Sequence, residues 1–236
     1  GKSNVPFVLG YKPKIIDNKA ILQHNVFSRF TPKSFALVNV FSQTGVFDYK
    51  IKKNNVQVHS VVQEFGYLRT IKLNFETYNA AAGDIFDFVL LVGNEEIKKS
   101  FVIFPEVIQS LHIVYVDSFG LNSCVNFTGS TKSINSELSI KLENYLKSNF
   151  LHLRKYVESE STSIFLNTGF ILKSQILEIT ELIKSRKAWI VVDDQKILEL
   201  VPKTEKITEI DNDNYLYDYQ VEFEINKTDY AQDYSF

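Results

Sequence analysis

The chain of 236 residues has no methionine, one cysteine, five prolines and nine glycines. A single cysteine, Cys124, excludes an internal disulfide, and with it a disulfide-bonded immunoglobulin domain. Free cysteines are among the residues most often buried, so Cys124, in Asn122-Ser-Cys-Val-Asn-Phe127, reads as a small apolar core residue. The shortage of proline and glycine excludes linker-like and collagen-like chains. No run approaches the ~18–20 apolar residues of a membrane-spanning helix, so no membrane partner is expected. The N-terminus lacks the apolar segment of a signal peptide, and Gly1 reads as a processed start or an added residue. Only 4 of the 26 basic residues are arginine, and no aromatic–arginine interleaving occurs. Sequence-specific nucleic-acid binding is therefore not expected.

What the chain does have is β-forming bulk. Hydrophobic residues make up 44%, enough to bury a core, and 19 Phe and 12 Tyr favour strands. The length suits one large domain or two of roughly 100–150 residues. The charge, −2 in total, is unevenly spread. Residues 1–105 carry 13 Lys/Arg against 8 Asp/Glu, residues 106–204 carry 11 against 11, and residues 205–236 carry 2 against 9. Such asymmetry marks either an interaction surface or a solvated tail.

Residues 1–20, with Pro6, Gly10 and Pro13, read as an irregular arm or edge strand. Short strand patterns follow at Phe35–Phe41, Val46–Ile51, Val56–Val62, Ile71–Phe75, Ile85–Val92 and Ile97–Phe104, separated by turn signals. This spacing predicts an antiparallel, immunoglobulin-like β-sandwich over 1–105. Pro105-Glu106 is the expected boundary to a second domain, 106–236. There, strands are predicted at Leu111–Val116, Val125–Thr128, Trp189–Val192 and Ile197–Val201, and Ser163–Phe170 holds a strand and the turn Asn167-Thr-Gly169. Residues 134–160 fit helical and strand periods about equally. Leu172, Ile176, Ile179 and Ile183 form one apolar stripe, so a helix is predicted over 172–185, with Ser174 as its cap. A final hairpin is predicted from Lys203–Ile210 and Tyr215–Ile225. Along Asp218–Asn226, Tyr219, Val221, Phe223 and Ile225 alternate with polar and acidic residues.

Chemistry-bearing patterns are thin. His24, His59, His112 and His152 have no partner at zinc-ligand spacing. His112 reads as a surface or partly satisfied residue. The Gly-x-Ser-x-Gly, P-loop and Gly-x-Gly-x-x-Gly motifs are missing, and no His lies near Cys124 in sequence to activate it. Asp211-Asn-Asp-Asn214 opens like a calcium loop but has Tyr215 and Leu216 where an acceptor and glycine are needed, so it reads as a turn; Asp193-Asp194 reads likewise. Asn126-Phe-Thr128 and Asn226-Lys-Thr228 match the glycosylation triplet, a pattern common by chance. No catalytic residue, metal or cofactor is assigned.

Tyr115-Val-Asp-Ser-Phe-Gly120 followed by Asn126-Phe-Thr-Gly129 resembles a recurrent segment of tail proteins from phages and prophages of Bacteroidetes-type bacteria. Leu166-Asn-Thr-Gly169, the 176–183 helix, Ser185-Arg-Lys-Ala-Trp189 and Val221-Glu-Phe-Glu224 resemble the tail-tube and distal-tail fold. The likeness covers roughly residues 107–230 through spacing, a few glycines and aromatics. It implies a β-sandwich or barrel with one packed helix, strands over 134–160, no catalytic residues, and assembly into rings with neighbouring tail or baseplate proteins. Localisation would be the virion tail, or the bacterial cytoplasm before assembly. On this reading Asp211, Asp213, Glu222 and Glu224 form an acidic assembly or lumen face that repels a passing polyanion. An alternative reading is a surface carbohydrate- or protein-binding two-domain β protein, using stacked aromatics. A hydrolase would need carboxylates that only the fold could bring together.

Overall fold

The computed structural model describes residues 15–16, 19–22, 27–106, 110–129, 132–147, 150–192, 195–204 and 216–225. It is mainly β. The first half holds β1 (Ile15–Ile16), β2 (Lys19–Ile21), β3 (Phe27–Phe30), β4 (Phe35–Ser42), β5 (Val46–Lys53), β6 (Val56–Phe65), β7 (Leu68–Asn74), β8 (Ile85–Val92) and β9 (Glu95–Ile103). One sheet runs β1-β2-β4-β7 and the other β3-β9-β8-β5-β6. Alternation explains the packing between them: Ala36, Val38 and Val40 of β4 face Phe47, Tyr49, Phe86, Phe88 and Phe101 across one buried cluster. Phe30 and Phe75 join the aromatic centre, 5.5 Å between ring centroids. One pair, β3 with β9, is parallel, because β3 enters from the arm and not from a hairpin. The predicted irregular arm over 1–20 lies largely outside the described residues; its end contributes β1 and most of β2.

The second half contains β10 (Leu111–Val116), β11 (Asn122–Phe127), β12 (Lys132–Lys147), β13 (Phe150–Asn167), β14 (Ile171–Leu172), α1 (Ile176–Lys184), β15 (Ala188–Val192), β16 (Gln195–Pro202), β17 (Leu216–Tyr217) and β18 (Gln220–Ile225). Seven strands form one antiparallel sheet in the order β11-β10-β15-β16-β18-β13-β12, and β14 pairs with β17. Helix α1 lies on one face, its Ile176, Ile179 and Leu182 packed among Ile113, Tyr115, Ile190, Leu200 and Phe223. Every described strand pair stays on one side of Pro105. The first apolar cluster nevertheless takes in Val114, Cys124 and Val191 from beyond it.

The helix differs in detail from its expectation. The helix is preceded by a single 3-10 turn, Lys173–Gln175, so Ser174 is not its cap. Gln175 holds that position, its side-chain oxygen accepting the Leu172 N–H at 3.0 Å. The buried stripe is Ile176, Ile179 and Leu182, while Leu172 is exposed in β14. Residues 134–160 are strands, the bulk of a long β12–β13 hairpin with a bulge at Ser139/Ile140. Of the predicted final hairpin, residues 205–215 lie outside the described residues, while Lys203 N–H donates to the Glu222 carbonyl of β18 at 2.9 Å. Strand β18 is inserted between β16 and β13, with Val201 opposite Glu224 and Phe165 opposite Glu222.

Burial of Ile179 to 1% exposure beneath the sheet gives the first test. Ile179→Asp places an unpaired carboxylate in that contact, at a cost of several kcal/mol, comparable to a domain's whole stability. Chemical denaturation should show the second half already unfolded in the absence of denaturant; a parental midpoint would mean that the stripe does not carry the packing.

Candidate functional site

Two places gather the chain's unusual groups: a buried polar seam and the acidic outer face of β18. The seam begins with β3, whose Ser28 and Arg29 are both buried. Ser28 Oγ donates to Glu178 Oε1 of α1. Lys99 Nζ of β9 lies 3.3 Å from the same oxygen, and both side chains are under a tenth exposed. Tyr115 OH donates to the Glu178 backbone carbonyl at 3.4 Å. Burial pushes the Tyr115 hydroxyl well above its usual range, reinforced by the nearby Glu178 and Asp117 carboxylates. The groups enclose a cavity of about 20 Å³ lined also by Leu37, Ser123 and Cys124, room for one water.

Arg29 does parallel work beside it. Nη1 donates to the Phe170 carbonyl; Nη2 donates to Thr128 Oγ1 at 2.9 Å and the Thr168 carbonyl at 3.0 Å. Its guanidinium lies 5.0 Å from the Phe104 ring centre, and burial lowers its pKa. The two segments Asn126–Gly129 and Leu166–Gly169 meet here, with Gly129 N–H donating to the Asn167 carbonyl at 3.1 Å. Gly169 is needed at that approach: its φ is +68°, and a Cβ would collide with Thr128 Oγ1 at 2.5 Å. A third tie comes from β4, where buried Asn39 donates to the Asn122 carbonyl at 3.1 Å. Leu37 N–H donates to Cys124 Sγ at 3.2 Å. Burial pushes the Cys124 thiol up to about 12, with the Leu37 N–H pulling the other way. Such a thiol is a core group and no nucleophile.

Sequence reasoning missed Glu178 and Glu181 as buried, and missed Arg29 entirely. Acids on a short amphipathic helix read as solvated; β3 and β9 remove Glu178 from water, while Glu181 accepts from the Ser118 N–H at 3.2 Å. His112 is half-buried, its Nδ1 against Asn126 Oδ1 and its ring 4.3 Å from Phe35. Asn126 is 3% exposed, so the Asn126-Phe-Thr128 triplet offers no glycosylation acceptor in the folded chain. Among the described residues no three His, Cys, Asp or Glu converge as metal ligands, and no helix is long and apolar enough to cross a membrane.

Of the predicted acidic face, Asp211 and Asp213 lie outside the described residues, as do Asp193-Asp194 and Asn226. Glu222 and Glu224 alternate with the buried Val221, Phe223 and Ile225 and so stand on the sheet face away from α1. Glu224 meets Lys203 at 3.5 Å. Across β16, Glu199 meets Lys187 at 3.7 Å on the same face. Toward β11, β10 and β15 this face is covered by the first half, through Cys124, Val191 and Trp189. Toward β16, β18 and β13, Val201 is 43% exposed, while Ser163, opposite Glu224, is buried beneath Lys203. On β5, Lys52 pairs with Glu96 at 3.6 Å and Lys53 with Asp84 at 3.0 Å.

The seam makes two predictions. Lys99→Met strands the Glu178 carboxylate and should cost about 3–5 kcal/mol, whereas Lys99→Met with Glu178→Leu should regain most of that. A denaturant-based double-mutant cycle reads the coupling, and additive losses would show that the pair does not interact. Separately, the Cys124 thiol should resist a maleimide or disulfide reagent at neutral pH in the native protein and react at once in denaturant. Prompt native-state labelling would contradict its burial.

Profiles of known protein families, curated proteins and solved structures were each compared with the chain, and none matches it.

Proposed function

We propose that the chain is a non-enzymatic structural subunit that assembles with copies of itself, as in a phage tail or tail-like machine. The observation that carries this reading is the β12–β13 hairpin. Its base, Asn135↔Ser163 to Lys132↔Leu166, adjoins β18 through β13. From Ser136↔Thr162 to Lys147↔Phe150 the two strands, among the described residues, pair with each other alone. Twelve residues of strand extend about 40 Å. A two-stranded ribbon without a third strand or a packed face is marginal in water. Leu142 of the ribbon is nonetheless 59% exposed. A second copy that covers the ribbon removes both costs.

Other exposed edges serve less well. Strand β6 shows Val56, Val62 and Phe65 to solvent, but its pairing with β5 is broken by two bulges and Gln63 has φ +59°. Bulges of this kind blunt an edge against strand addition. The tail context itself is supported by the resemblance over residues 107–230, including the Asn126–Gly129 and Leu166–Gly169 segments that meet at Arg29. A glycan-binding reading has a polar cleft of about 440 Å³ lined by Phe35, Asn74, Glu76, His112 and Asn126. However, the Phe35 ring is already engaged by His112 and, 4.3 Å away, by Lys72, which leaves it poorly placed to stack on a sugar.

Light scattering and negative-stain microscopy test the proposal. The full chain should form closed rings or stacked tubes. Replacing residues 141–156 by an Asn-Gly turn should leave a folded monomer. A full chain that stays monomeric at the highest attainable concentration, or a truncated one that assembles equally well, would overturn the reading.

A further inference from the structure

We propose that Lys99 and Glu178 condense to an intramolecular amide that joins the first sandwich covalently to helix α1. The two groups face each other in a site almost closed to water. Both side chains are under a tenth exposed, and Lys99 Nζ lies 3.3 Å from Glu178 Oε1. An ammonium carries three N–H donors. Among the described residues, Glu178 Oε1 is the one hydrogen-bond acceptor that Lys99 meets. Its other neighbour is the Phe101 ring, whose centre is 5.5 Å from Nζ. Arg29, the other buried cation of the seam, meets three acceptors. A buried ion pair offsets its loss of hydration only when the remaining protons are satisfied as well. Lys99 falls short of that, and a reaction that abolishes both charges removes the cost of holding them there.

The surroundings suit condensation. Ser28 Oγ donates to Glu178 Oε1, where it polarises the carboxyl carbon and steadies the oxyanion of a tetrahedral intermediate. Phe30, Leu37, Phe101 and Tyr115 close around a cavity of about 20 Å³. It has room for the one water released, and bulk water is kept from reversing the step. Attack needs a neutral amine, which the pair supplies by passing a proton from Nζ to the carboxylate. The amine lone pair then adds to Glu178 Cδ. A second Nζ proton follows the first to the departing oxygen, which leaves as water. One Nζ–Cδ bond replaces one Cδ–O bond, nothing is oxidised or reduced, and no co-reactant is needed. Freshly folded chains carry the ion pair, whose coupling the stability cycle reads, and the amide is its slow product. Every described strand pair stays on one side of Pro105, so the amide ties together halves that no strand pairing joins. It closes a loop across 79 positions, and such closure takes freedom from the unfolded chain. The bond does not depend on assembly.

Intact-mass spectrometry of the full chain tests the bond. After warm incubation of the folded protein, the denatured chain should weigh about 18 Da less than its sequence, the mass of one water. Trypsin should then yield a branched peptide, uncut after Lys99 and joined to α1 at Glu178. The Lys99→Met, Glu178→Leu double variant should keep its full mass. Ser28→Ala should still form the link, but about a hundredfold more slowly, as loss of an oxyanion donor implies. A merely structural Ser28 would shift the melting point and leave that rate alone. Maleimide protection of Cys124 shows that the incubated chain is folded. A folded chain that keeps its full mass refutes the proposal, and so does a water loss that maps to any other pair of residues.

Discussion

The buried charge at the seam constrains everything else. Lys99, Glu178 and Arg29 come from β9, α1 and β3, and all three sit where water is nearly excluded. Removing such groups from water costs several kcal/mol each, and the cost is offset only when partners stand at hydrogen-bonding distance. Glu178 must therefore meet both Ser28 and Lys99, and Arg29 must reach the Thr128 hydroxyl and the Phe170 and Thr168 carbonyls. An apolar contact tolerates sliding by an ångström or so; this set does not, because each displaced partner leaves a buried charge behind. The pairing thus specifies how the first sandwich meets the helix and the seven-stranded sheet more than it adds stability.

That docking decides which surfaces remain for function. One face of the seven-stranded sheet receives α1, and the other is half occupied by the first sandwich through Cys124, Val191 and Trp189. The remaining outer face, over β16, β18 and β13, borders the root of the β12–β13 ribbon through the β13–β18 pairing. The ribbon and that face therefore belong to one sheet, docked to the first sandwich by one buried network.

Much of the fold was legible locally. Leu111–Val116 and Ile85–Val92 appear as read, because alternation and turn residues bound them on both sides. The helix was legible as an apolar stripe, although its cap shifted from Ser174 to Gln175 because a 3-10 turn precedes it. Residues 134–160 stayed ambiguous for a physical reason: Ile134, Leu138, Leu142 and Tyr145 satisfy a helical period while Leu138, Ile140 and Leu142 satisfy a strand. The choice is made by pairing with 150–167, which is not local information. The same holds for β18. Its alternation was readable, but insertion between β16 and β13 depends on contacts with residues about 20 and 60 positions away. Glu178 lay furthest from view, since nothing in Ile176–Lys184 says that an acid on its surface faces a lysine 79 positions earlier.

The acidic end can now be weighed as a surface. A lumen wall that lets a polyanion pass needs carboxylates free of neighbouring cations, because at ~0.15 M salt repulsion fades within about 8 Å. Glu224 and Glu199 instead stand beside Lys203 and Lys187, which shortens the reach of any repulsion. Their exposed pairs are also weak enough to exchange partners with little loss. Apolar neighbours on the same face, Val201 and Phe165, gain nothing from lining an aqueous channel and gain burial from a protein contact. Glu222 and Glu224, interleaved with apolar side chains and with Glu224 beside Lys203, therefore project a weaker field than an unbroken acidic row would.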